Sequence, residues 1–81
     1  MLDSERKLKL VMADLFGVDP SHIDEHASVD TIEKWDSLNH MKLVLALEEQ
    51  FNVSFTGEQS VEMLSYELIK AVLSENGVGF N

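Results

Sequence analysis

The sequence predicts an all-α fold, a small bundle of three main helices and one short one, built as a single domain over residues 1–81. Three observations carry this prediction. Apolar residues recur at helical spacing in three separate segments. No internal repeat, low-complexity run or linker divides the chain. With 81 residues and no cysteine, one small core must hold the fold by packing alone.

The first helix is expected over Ser4–Phe16, where Leu8, Val11, Met12 and Leu15 fall on one side, with Asp3 or Ser4 available as N-cap and Gly17 as the stop. From Gly17 to Trp35 the periodicity gives way to Pro20, polar clusters and acids, which predicts a long loop with a short turn inside it. A loop of this length in a small domain is functional or pinned by its own apolar residues. Val18, Ile23, Val29, Ile32 and Trp35 are the candidate anchors.

The strongest helix runs from Leu38 to Phe51, rich in Leu, free of Gly and Pro, and preceded by Asp36 and Ser37, either of which can cap it. Residues 52–55 read as a short extended connection, after which Thr56 caps a brief helical turn through Glu62. A last helix is expected from about Ser65 to Glu75, with Leu68, Ile69, Val72 and Leu73 buried, followed by a frayed tail from Asn76.

Charge narrows the function classes. The net charge is −9, from 15 acidic and 6 basic residues. Three of the basic residues, Arg6, Lys7 and Lys9, sit in the first helix, so Lys34, Lys42 and Lys70 alone offset the acids of the rest of the chain. Such a surface repels nucleic acid and anionic lipid and steers basic partner surfaces towards it. No apolar run approaches the roughly 18 residues that a membrane span needs. The chain is therefore read as a mature, soluble, cytoplasmic monomer that binds neither nucleic acid nor membrane.

The helix after Ser37 has two apolar faces. Advancing about 100° per residue from Ser37 gathers Leu43, Val44, Leu47 and Phe51 between about 240° and 340°, an ordinary core stripe. Leu38, Met41 and Leu45 gather between about 40° and 100°, beside Ser37 and bordered by Lys42, Glu48 and Glu49. A charged rim around an apolar strip reads as a docking surface, or as a strip that another helix covers. Asp-Ser-Leu by itself is a common helix start. Its position adds that a side chain at residue 37 stands clear of the helix over the positive end of the dipole, where unsatisfied N–H groups favour an anion.

The run Trp35–Phe55, WDSLNHMKLVLALEEQFNVSF, placed after a long acidic loop and before a short and a final helix, resembles acyl carrier proteins. The resemblance extends over nearly the whole chain and is most specific from Asp36 to Phe51. It implies a four-helix bundle whose Asp-Ser-Leu serine, here Ser37, is esterified with 4'-phosphopantetheine by a magnesium-dependent transferase using coenzyme A, with Asp36 shaping the site for that transferase. It implies a carrier and not an enzyme: the thiol of the arm holds acyl groups as thioesters. Partners would be the transferase and acyl-activating, synthase or acyltransferase enzymes, met through the second helix at Leu38, Met41, Leu45, Glu48 and Glu49. An aminoacyl or D-alanyl carrier and an unmodified helical adaptor are the alternative readings.

Two features depart from the carriers of fatty acid synthesis. Those resemble each other in keeping acids soon after Asp-Ser-Leu, where this chain has Asn39, His40 and Lys42, and small residues before it, where this chain has Trp35. Both point to a specialised, free-standing carrier of a lipid or secondary-metabolite pathway.

The remaining constellations are weaker. His22 and His26, with Asp24 and Glu25 between them, lack a third ligand at any recognisable zinc spacing, so no metal site is expected. His40 falls near about 300° on the second helix, among the core-facing positions. It packs at the rim of the core or tunes the entrance for a carried chain. Ser37 has neither a glycine-framed elbow nor an oxyanion loop, which leaves no triad to support.

Overall fold

The computed structural model describes residues 3–79. It contains four α-helices, α1 (Asp3–Phe16), α2 (Ser37–Phe51), α3 (Gly57–Glu62) and α4 (Tyr66–Glu75), with a 3-10 turn at Pro20–His22 in the long loop. The all-α fold expected from the sequence is therefore the one found. Among the described residues none lies in a strand; a single antiparallel bridge pairs Ser28 with Ser65.

The helix starts follow side-chain chemistry. Asp36 caps α2 by accepting the Asn39 amide (2.9 Å), so of the two candidate caps the aspartate serves and Ser37 becomes the first helical residue. Thr56 and Gln59 form a reciprocal capping box on α3. Ser65 caps α4 through the Leu68 amide (3.2 Å), which moves that helix one residue along from the expected start. Ser4 lies inside α1 and is not its cap, while the Asp3 side chain and the residues before it lie outside the described residues.

Three helices end in the same way. Gly17 and Asn52 take left-handed backbone angles (φ 68° and 55°), as does Gly77 (φ 93°). The next amide then reaches back to a helix carbonyl: Val18 to Ala13 (3.0 Å), Val53 to Glu48 (3.1 Å) and Val78 to Leu73 (3.0 Å). This is the Schellman arrangement, and each of the three valines packs on the core. The segment expected to fray from Asn76 is thus tied down through Val78; Phe80 and Asn81 lie outside the described residues.

Leu8, Met12 and Phe16 of α1 meet Leu43 and Leu47 of α2 and Ile69 and Leu73 of α4 in a core from which solvent is excluded. The stripe of α4 is Tyr66, Ile69, Val72 and Leu73. Leu68, expected in it, is 47 % exposed. It falls about 110° from the centre of that stripe, too far round the helix to reach the core.

The long loop is pinned as its length requires. Ile23, Ile32 and Trp35 are buried anchors, Val18 and Val29 are partly buried, and Ala27 adds a contact that its small size concealed in the sequence. The Val29 amide donates to the Leu64 carbonyl (3.1 Å) and the Tyr66 amide to the Ala27 carbonyl (2.9 Å), which clips the loop to the α3–α4 junction. The Trp35 indole stacks on Phe16 with ring centroids 5.1 Å apart.

Polar contacts fix α1 against its neighbours. Lys7 donates to the Gln50 carbonyl (2.6 Å) near the negative end of α2. Tyr66 donates its hydroxyl hydrogen to Glu5 Oε2 (2.9 Å), and Lys70 Nζ lies 3.2 Å from the same oxygen. The Tyr66 hydrogen bond first, and then Lys70, hold the Glu5 carboxyl below the usual carboxylate range. Burial, and then the adjoining Glu5, push the Tyr66 phenol up.

Candidate functional site

Ser37 is exposed at the first position of α2, immediately after the capping aspartate. The cap takes the Asn39 amide, and the Asp36 carbonyl accepts the His40 amide (2.8 Å). The backbone N–H groups of Ser37 and Leu38 lie in the first turn, where no helix carbonyl precedes them to accept, so they point out from the start of α2. An anion attached there would meet two amide donors and the positive end of the helix dipole. Asn39 braces the approach, its side-chain amide donating to the Lys34 carbonyl (2.7 Å).

The strip beside Ser37 is open. Leu38, Met41 and Leu45 are 64 %, 65 % and 64 % exposed, so no other helix covers them. On the opposite side of the same helix Leu43 and Leu47 are fully buried, with Val44 and Phe51 half-buried against the core. Glu49 is exposed at the rim, whereas Glu48 turns to the α2–α3 connection, where its carboxylate accepts the Phe55 amide (2.8 Å). Lys42 is exposed as well, so this rim mixes charges.

Beside Ser37 lies a groove of about 510 Å³, lined by Val29, Trp35, Asp36, His40, Met41 and Leu64. Leu64 was not legible as part of this site. It lies 27 residues beyond Ser37 in the chain, and only the clip between the long loop and the α3–α4 junction brings it near. His40 is part of the groove's lining. Its Nδ1 accepts the Trp35 indole N–H (3.0 Å), and its Nε2 lies 2.8 Å from the Ser60 carbonyl. An indole N–H can only donate and a carbonyl can only accept, so these two contacts call for the tautomer with its proton on Nε2.

His22 and His26 are far less organised. Both are exposed and, with Asp24, line a separate hollow of about 450 Å³ between the end of α1 and the long loop. Among the described residues no group of three or more His, Asp or Glu is placed to hold a metal ion. None of the helices is long and apolar enough to cross a membrane among the residues described.

Residues 6–65 match the phosphopantetheine attachment site family. The chain belongs to this family. It is similar to the acyl carrier protein of Thermosynechococcus vestitus, 35 % identical over 57 residues that make up 70 % of each chain. It is also similar to the acyl carrier protein of Buchnera aphidicola subsp. Baizongia pistaciae, 27 % identical over 75 residues that cover 93 % of this chain and 96 % of that one. The motif run Trp35–Phe55, on which the resemblance to acyl carrier proteins rested, falls inside the matched span.

Members of the family carry a covalent 4'-phosphopantetheine group, and acyl carrier proteins act as carriers rather than enzymes. The residues of this chain suit that group. Ser37 is exposed at the start of α2 and the adjoining groove is lined largely by apolar residues, which leaves room there for such a group.

Proposed function

We propose that Ser37 is the attachment atom and that the chain is a free-standing carrier of a specialised lipid or secondary-metabolite pathway. The observation that carries the reading is the juxtaposition, on one helix, of an exposed serine at the first position and three leucine or methionine side chains about two-thirds exposed beside it. An apolar strip of this kind lowers its free energy by meeting a partner surface, and its position obliges that partner to meet residue 37 as well.

The roles divide among named residues. Ser37 Oγ forms the new bond to the phosphorus of the coenzyme A pyrophosphate, its proton passing to the transferase as the nucleotide half leaves. The bound group then supplies a thiol on which acyl groups are held as thioesters. Asp36 fixes the first turn, so that the Ser37 and Leu38 amides face the phosphate. Leu38, Met41 and Leu45 dock partner enzymes, Met41 adapting to more than one of them, and Glu49 supplies charge at the rim. Glu48, engaged with Phe55, contributes by holding the end of the helix.

Partners outside fatty acid synthesis are favoured by the start of α2, whose first turn contains no acid and is followed by His40 and Lys42. A basic partner surface would find its complement further along, at Glu49. Incubation with coenzyme A, magnesium and a broad-specificity transferase, read by intact mass, tests the attachment. The chain should gain one phosphopantetheine, and an unchanged mass would sink the proposal. Loading the modified protein with competing acyl and aminoacyl donors separates the acyl reading from the aminoacyl one.

A further inference from the structure

We infer that Trp35, His40 and the Ser60 carbonyl form a bar across the junction of α2 and α3, so that a group carried from Ser37 stays outside the bundle in the groove beside Trp35. This rests on Ser37 being the attachment atom. A cargo tethered there has two ways to lose water: it can pass between α2 and α3 into the core, or lie in the adjoining groove. His40 sits one turn beyond Ser37 and spans the first route, joined to the loop at Trp35 (3.0 Å) and to α3 at Ser60 (2.8 Å). If the ring swung aside, the indole of Trp35, a residue only 3 % exposed, would lose the one partner its N–H has, and a buried donor without a partner is strongly disfavoured.

The bar is also braced from behind. Trp35 stacks on Phe16 of α1, so it cannot tilt without disturbing the core, and Leu43, Leu47 and Met63 are already fully buried. The groove offers the other route, lined by the apolar Val29, Met41 and Leu64 together with Trp35 and His40. It is more open than enclosed, so a long alkyl chain laid in it would keep apolar surface in water. The cargo class that follows is a short or polar acyl group, whose thioester remains open to attack without first being drawn out of the protein.

The test loads the full chain through a transferase from butanoyl- and decanoyl-coenzyme A, with intact mass reporting attachment. Each thioester is then cleaved by hydroxylamine, which forms the hydroxamate and frees the thiol, while the Trp35 indole N–H resonance is followed by NMR. Unaltered protein should release both cargoes at rates within about twofold, with the indole resonance in the same place for each. In His40→Ala, decanoyl release should slow by about fivefold or more relative to butanoyl as the bar between α2 and α3 is lost. No mass gain would overturn the attachment reading and this inference with it. Mass gain followed by selective protection of decanoyl in the unaltered protein, or by an indole shift with decanoyl alone, would overturn the inference only. These two readouts need no variant, so they decide the matter even if His40→Ala fails to fold.

Discussion

Leu47 and Leu45 occupy one helix, two residues apart, and meet opposite fates: the first is wholly buried and the second is 64 % exposed. The difference teaches that the α2 sequence satisfies two separate demands. One face closes the core with Leu43 and Leu47, and the other keeps Leu38, Met41 and Leu45 in water although burying them would be favourable. Exposed apolar residues are ordinary when scattered. Three of them in adjoining positions beside a helix start form the surface proposed above to meet partners.

The two faces should separate cleanly under mutation. The largest effect belongs to the core: Leu47→Ala should lower unfolding stability by about 2–5 kcal/mol through lost transfer energy and a residual cavity, measured by urea denaturation. Next comes the helix start, where Asp36→Ala should cost about 1 kcal/mol by freeing the Asn39 amide, and should slow modification by the transferase as the first turn loosens. If Asp36→Ala slows modification with no loss of stability, the aspartate acts by touching the transferase and not by shaping α2.

A smaller effect comes from the contact between α1 and α4. Glu5 is held below the usual carboxylate range in the fold, so its contribution is fully present above that range and is lost as pH falls through its folded value. Tyr66→Phe removes the largest cause of that shift and should flatten the loss of stability between neutral and acid pH, by less than about 1 kcal/mol for this partly exposed pair. The Tyr66 phenol is shifted the other way, so its contribution persists up to the ordinary tyrosine range and disappears as pH rises beyond it. Both arms are measured by urea unfolding across pH. The smallest stability change belongs to the exposed face: Leu45→Ser should move stability by no more than about 0.5 kcal/mol while weakening capture by partner enzymes. A large stability loss in Leu45→Ser would erase the distinction between the faces.

Much of this was legible in the sequence because it is local. Helical spacing located the four helices to within a residue or so at each end, and Thr56, Asp36 and Ser65 stood where caps belong. The two faces of α2 followed from its angular pattern alone. What was hidden depends on contacts between distant segments. Helical position put His40 on the core side, but its bond to Ser60 joins residues 20 apart. Glu48 read as a rim charge, since nothing in a helical projection shows its carboxylate folding over the helix end to meet Phe55. Leu68 read as core because it is apolar and near the stripe of α4, although the helix turns it away. The Schellman closure by Gly77 and Val78 was written in the sequence and passed for a frayed tail, since a glycine near a terminus signals fraying as readily as a cap.

The central claim is that the exposed face of α2 begins at a modifiable atom, Ser37. Fragmentation mass spectrometry of the chain after reaction with coenzyme A and the transferase, beside Ser37→Ala treated identically, tests it most directly. One phosphopantetheine should be located on Ser37 in the unaltered chain and none in a folded Ser37→Ala. An arm found on another residue, or a modified Ser37→Ala, would contradict it.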